Sequence, residues 1–235
     1  LPPGSLVHVG RRLTEKTCLT LFHFDEQHLE ERAIAAVGDA VPHGDRPGVT
    51  WLNIDGLQDT GVVAALGEAF GLHPLVLEDM LNTEQRPKFE DLGDYLFLVM
   101  RVFTPPAHPG GGVRSEQISL VIAPHVLITL REKAGPLLDP IREGLRAGKG
   151  RIRKAGADYL AHAIVDAVVD QYFVVLEALG ERIEALEDRL MARPTPDTLR
   201  AIQGLKREIT SLRRSVWPLR EAISAVDRSD STLLH

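Results

Sequence analysis

A single cysteine, Cys18, stands in 235 residues. One thiol excludes an intramolecular disulfide framework and a zinc site built on cysteines, and it fits a reducing compartment. There is no excess of positive charge: 27 Lys and Arg face 33 Asp and Glu, a net charge of −6, the opposite of a phosphate-binding surface, so nucleic acid is not an expected partner. No run of about 18 apolar residues exists to form a spanning helix. The most apolar stretch, from Leu120 to Leu130, is short and interrupted by Pro124 and His125. GxSxG, Walker A and strand-borne GxGxxG motifs are missing, and the nine histidines form no HExxH or HxH pattern, so no familiar enzyme chemistry is indicated. The opening Leu1-Pro-Pro-Gly4 has neither the basic start nor the apolar centre of a signal peptide. With no initiator Met, the chain reads as a piece of a longer protein.

Apolar residues make up 44% and charged residues 26%, which supports a globular core. The character changes near residue 150. From 151 onward there are 13 basic against 13 acidic residues, so the first 150 hold 14 against 20 and carry the whole negative excess. The first part, 1–150, has short apolar runs separated by Gly and Pro and reads as α/β with a mixed sheet. Strands are expected at Ser5–Val9, Thr17–Phe24, Thr50–Ile54, Tyr95–Phe103, Gln117–Ala123 and His125–Arg131. Helices are expected at Gln27–Ala36, Asp59–Phe70, Pro74–Leu81 and Pro136–Arg146.

The second part, 151–235, reads as a long antiparallel helical hairpin. Val169, Tyr172, Leu176, Leu179, Ile183, Leu186 and Leu190 step alternately by three and four, a heptad seam. Arg193-Pro-Thr-Pro-Asp197 breaks it, with Thr195 as N-cap and Pro196 at the first helical position. A matching seam follows at Ile202, Leu205, Ile209, Leu212, Val216 and Leu219, and the two are expected to fill each other. Pro218 is expected to kink the second helix.

Two acidic constellations stand out. Glu78-Asp79 lie on the short helix after His73, which reads as a cap or a packed side chain; adjacent carboxylates can supply oxygen ligands to a hard cation, although a solvated pair is the commoner outcome. Asp166 and Asp170, four apart, share one face of the long helix inside the apolar stretch Ile164–Val175, where they need a cation, a basic partner or water. Glu177, Glu181, Glu184, Glu187 and Asp188 add an acidic flank further along, ordinarily a solvated face.

An ordered set of segments resembles the cytoplasmic part of the CorA family of magnesium and cobalt transporters. They are Leu1-Pro-Pro-Gly-Ser-Leu6, Trp51-Leu-Asn-Ile54, Gly71-Leu-His-Pro-Leu-Val-Leu-Glu-Asp79, Gln85-Arg-Pro-Lys88, Gln117-Ile-Ser-Leu120, Ala157-Asp-Tyr-Leu160, Ile164-Val-Asp-Ala-Val-Val-Asp170, Tyr172-Phe173 and Trp217-Pro-Leu-Arg-Glu221. Each is weak alone, but together they run nearly the length of the chain. The resemblance implies an α/β/α sandwich followed by the long hairpin. In the family a stalk helix and two membrane helices follow, the first ending in Gly-Met-Asn, and neither stalk nor motif is in this sequence. It also implies a homopentamer on the cytoplasmic side of the inner membrane, in which Mg²⁺ bound between subunits keeps the pore closed. By position the inter-subunit ligands fall on Glu78, Asp79 and Asp166, with the Leu1 carbonyl as a further contributor and Asp170 in the same acidic neighbourhood. A further family ligand, on the neighbouring stalk, would lie beyond His235. Mg²⁺ is the implied ion, with Co²⁺, Ni²⁺ and Zn²⁺ open alongside it, and no enzyme activity is expected. The alternative reading is a soluble scaffold or adaptor that pairs through its hairpin and has no metal role.

Overall fold

The computed structural model describes residues 2, 4–41, 47–108, 111–193 and 195–234. Seven strands form one sheet: β1 (Cys18–Phe24), β2 (Leu29–Ile34), β3 (Val49–Asp55), β4 (Lys88–Asp91), β5 (Leu96–Thr104), β6 (Arg114–Ala123) and β7 (Val126–Arg131). Their order is β2-β1-β3-β7-β6-β5-β4. Only β3 and β7 run parallel; every other pair is antiparallel. Trp51 and Leu127 are registered across the parallel pair. The central strands read as unbroken apolar runs because both of their faces are covered.

Helices α1 (Thr60–Phe70) and α2 (Pro74–Leu81) cover one face, on a core of Leu52, Ile54, Phe97, Val99 and Ile128. The other face, built on Phe22, Trp51, Leu98, Leu120 and Leu127, is covered by α3 (Asp139–Ala147) and by the long helices α4 (Ala157–Ala192) and α5 (Pro196–Asp227). This is the α/β/α sandwich with a helical hairpin that the sequence implies. Leu160, Ile164, Val168 and Tyr172 place the first half of α4 in the core of the sandwich itself. The Tyr172 hydroxyl donates to the carbonyl of Arg101 in β5 at 2.6 Å, and its ring meets Phe103 edge-on. Across the hairpin, Arg182 makes a two-pronged pair with Glu208, at 2.6 and 3.0 Å. Glu208 also accepts from the N–H of Val113, at the start of β6, at 3.1 Å.

Several expectations need correction. Residues 29–34 are a strand, not part of a helix: Leu29–Ile34 pairs antiparallel with β1 at the sheet edge. The sequence Leu-Glu-Glu-Arg-Ala-Ile is rich in helix formers, but the free edge of β1 supplies hydrogen bonds that outweigh that weak preference. Ser5–Val9 makes no strand; Val9 forms a single bridge to Asn82. β4, only four residues long, was not expected. The seams fill only in part: Leu179, Leu186, Leu205, Leu212 and Leu219 are buried, whereas Leu176, Ile183, Leu190, Ile209 and Val216 remain exposed. A complete two-helix seam would cover both lines of each heptad; here one line is covered and the other is left at the surface.

Both faces carry buried charge. On the α3 side Arg131, 1% exposed, donates to Glu116 at 2.8 Å and to the carbonyl of Gly135 at 3.1 Å. Asp55 lies 3.9 Å from Arg131 and 3.6 Å from Arg142. On the α2 side Glu132 accepts from the N–H of Gln117 at 2.5 Å and sits 4.0 Å from Arg101. Burial pushes the Glu132 carboxyl above the ordinary glutamate range, more than the Gln117 N–H and the Arg101 charge pull it down.

Candidate metal centre on the second helix

Helix α2 begins as its sequence dictates. The ring of His73 accepts from the N–H of Leu75 at 3.2 Å, Pro74 fills a first-turn position that needs no donor, and the His73 N–H is satisfied by Tyr95 Oη at 2.9 Å. His73 is therefore a cap, one of the two roles, cap or packed side chain, that its place before Pro74 suggests. Val76, Leu77, Met80 and Leu81 face the sheet. That leaves Glu78 and Asp79 half-buried at the edge of an open cleft of about 410 Å³, whose lining includes Lys88 and Glu90 of β4.

The N-terminal segment crosses this helix. Gly4 donates its N–H to Glu78 Oε2 at 2.6 Å. Further along, the N–H of Val9 bonds the carbonyl of Leu81 at 3.0 Å and the N–H of Thr83 bonds the carbonyl of Val9 at 2.9 Å. From below, Gln117 Nε2 reaches the carbonyls of Asp79 and Met80 at 3.1 and 3.4 Å. The last turn of α2 is thus held from both sides, and the two carboxylates project from a fixed backbone.

Both oxygens of Asp79 are engaged within the chain. Oδ1 accepts from Gln85 Nε2, and Oδ2 accepts from Lys88 Nζ. Lys88 also bonds Glu90 Oε1 at 2.8 Å, with its ammonium 5.6 Å from the centre of the Phe97 ring. Burial works against the charge on Lys88, but the hydrogen bonds to Asp79 and Glu90 outweigh it, and the ammonium is held above its ordinary range. Gln85 and Lys88 belong to a segment quoted above for its resemblance, yet residue patterning gave them no role at the carboxylates.

Asp166 and Asp170 lie on the outward face of α4, both exposed, while Ile164, Val168 and Tyr172 take the inward face. The apolar stretch around them is thus one-sided, and the pair is open to solvent. The acidic flank from Glu177 to Asp188 is likewise exposed. Leu1 lies outside the described residues. Glu78 and Asp79 belong to the layer on one face of the sheet and Asp166 and Asp170 to the layer on the other, so the chain does not gather them. Among the described residues no three His, Cys, Asp or Glu side chains are grouped to hold a metal ion. In kind, the carboxylate oxygens of α2 fit a hard cation such as Mg²⁺; in one chain they supply too few ligands, and one of them already carries an ammonium.

An α/β/α sandwich prolonged by a helical hairpin is an architecture shared with solved soluble domains. The chain superposes on the soluble domain of CorA from Methanocaldococcus jannaschii with a TM-score of 0.74 at 15% identity, covering 92% of this chain and 82% of that one. The cytoplasmic domain of ZntB from Vibrio parahaemolyticus gives a TM-score of 0.67 at 18% identity, with the same coverage of 92% and 82%. At such identities the likeness defines the fold alone. Sequence defines the family: residues 47–234 match the model described as CorA-like Mg²⁺ transporter protein. The cobalt/magnesium transport protein CorA of Thermotoga maritima is 39% identical over 234 residues, which is 100% of this chain and 66% of that protein. The chain belongs to the CorA family. It spans just under two thirds of the Thermotoga relative, and among its described residues no helix is long and apolar enough to cross a membrane.

Proposed function

We propose that this chain is the metal-sensing regulatory part of a CorA-type Mg²⁺/Co²⁺ transporter, on the cytoplasmic side of the inner membrane. In this reading Mg²⁺ held between subunits of a homopentamer by Glu78, Asp79 and Asp166, with Asp170 and the Leu1 carbonyl close by, favours the closed pore. One observation carries it: the candidate carboxylates stand on opposite layers of the sandwich, and one chain groups no three of them. A site using both layers has to be assembled from two copies. Mg²⁺ prefers six oxygens and gives up its water reluctantly, so a few carboxylates with the remainder water make a site that can also release its ion. Once the ion leaves, the acidic groups repel one another, and the repulsion loosens the assembly.

The test is melting temperature against MgCl₂ for the wild-type chain, Asp79→Asn and Asp166→Asn, each at two protein concentrations. A ligand that binds only the assembled form stabilises it by RT ln(1 + [L]/Kd), so protection is expected to grow with both metal and protein and to weaken in both variants. Equal Mg²⁺ responses in all three proteins would overturn the residue assignment. Protection independent of protein concentration would overturn the inter-subunit assembly.

A further inference from the structure

We infer that Lys88 is a built-in competitor for the metal: its ammonium occupies Asp79 in the metal-free chain and must pass to Glu90 before a divalent cation can take that carboxylate. The inference rests on the metal-sensing reading of Glu78 and Asp79 and adds to it the residue that sets how readily the site fills.

The geometry is specific. Lys88 Nζ lies on Asp79 Oδ2 and, at 2.8 Å, on Glu90 Oε1. Gln85 holds the other oxygen of Asp79, and the N–H of Gly4 holds Glu78 Oε2 at 2.6 Å. Of these donors only Lys88 carries a charge, so only Lys88 opposes a second cation at Asp79 by direct repulsion. It has somewhere to go. Glu90 stands two residues further along β4 with its side chain 43% exposed, against 17% for Asp79. Lys88 can therefore give up Asp79 and remain paired at the wetter side of the cleft. Its flexible four-carbon stem allows that move without shifting the backbone, which the pairing of Lys88 with Val99 fixes in the sheet. The exchange amounts to replacing one tethered monovalent cation by one free divalent cation on the same carboxylate. The tether gives Lys88 a constant local concentration, so it imposes a threshold: at low metal the carboxylate is closed by its own chain, and at high metal the ion displaces it.

Two measurements on the 235-residue chain test this. In the first, MgCl₂ is titrated by calorimetry and by melting temperature into wild type, Lys88→Met, Lys88→Gln and Asp79→Asn. Removing the competitor is expected to tighten Mg²⁺ binding about tenfold in both Lys88 variants, the scale of one partly buried charge-assisted contact, while Asp79→Asn weakens it. In the second, reductive methylation of Lys88 in wild type is followed by mass spectrometry with and without MgCl₂. Faster modification with Mg²⁺ is expected, because the ammonium has left Asp79. Unchanged or weaker Mg²⁺ binding in both Lys88 variants, or Lys88 labelling indifferent to Mg²⁺, overturns the competition even if Asp79→Asn behaves as expected. Should Asp79→Asn leave Mg²⁺ binding intact, the site reading itself falls and the competition with it, a result distinct from the first.

Discussion

Replacing Arg131 with Met keeps most of the side-chain volume and deletes the guanidinium from a site that is 1% exposed. Glu116, itself 3% exposed, then loses the 2.8 Å donor on Oε1, while its Oε2 already has no hydrogen-bond partner among the described residues. Asp55 keeps Asn53 at 2.8 Å and Arg142 at 3.6 Å on Oδ2, and its Oδ1 loses only the Arg131 charge 3.9 Å away. The loss is therefore chiefly one uncompensated buried carboxylate, Glu116, for which about 3–5 kcal/mol is the usual destabilisation. In a domain of this size that corresponds to a fall in melting temperature of about 6–20 °C. Urea unfolding followed by circular dichroism, with the midpoint shift multiplied by the slope, measures it. The double variant Arg131→Met with Glu116→Gln is expected to regain at least half of the loss, because the stranded charge is gone. A loss below about 1 kcal/mol, or no recovery in the double variant, would refute the reasoning that this carboxylate depends on Arg131.

Two further expectations are local. Tyr172→Phe removes the bond to the Arg101 carbonyl but keeps the ring contact with Phe103, and the urea midpoint is expected to report a loss of about 1 kcal/mol; no change would show that the bond contributes nothing to holding α4 on the sheet. Glu132→Gln keeps an acceptor for the Gln117 N–H and removes a charge that burial disfavours. Since the folded chain holds this proton more tightly than the unfolded one, wild-type stability rises as pH falls between the ordinary glutamate range and the raised value of Glu132. The variant is expected to be the more stable at neutral pH and to lose that advantage on acidification, as melting temperatures from pH 4 to 8 would record.

The sequence made the central elements legible for a physical reason. β3, β5, β6 and β7 are buried on both faces, so their composition is dominated by one requirement, and α2 carries its own start signal in His73-Pro74. Edges were harder. β2 has its exposed positions occupied by Glu31, Arg32 and Ala33, residues that solvent tolerates in any conformation, and only the neighbouring strand decides the outcome. β4, with Lys88, Phe89, Glu90 and Asp91, is too short for alternation to register. The half-filled seams were hidden because a heptad pattern states which residues are apolar, not how many helices arrive to cover them. At the candidate site the carboxylate pair was visible, whereas the donors that occupy it come from six and nine residues beyond Asp79 and from the N-terminal segment, and the backbone beneath it is held from β6. Adjacency of that kind exists only after the sheet has formed.

The hairpin has a mechanical consequence. At 1.5 Å per residue the 36 residues of α4 extend about 54 Å, whereas the longest strand, with ten residues, reaches about 34 Å. The helix therefore overhangs its support, clamped near its middle by Tyr172 and braced further toward the tip, where Glu208 joins Arg182 to Val113. A beam held in this way is a lever. Tilting the roughly 30 Å beyond Tyr172 by about 5° carries the far end through roughly 2–3 Å, more than any side chain at the pivot has to move. Whatever touches the tip receives an amplified copy of small adjustments in the sandwich, and the Arg182–Glu208–Val113 brace sets how stiffly that copy is transmitted.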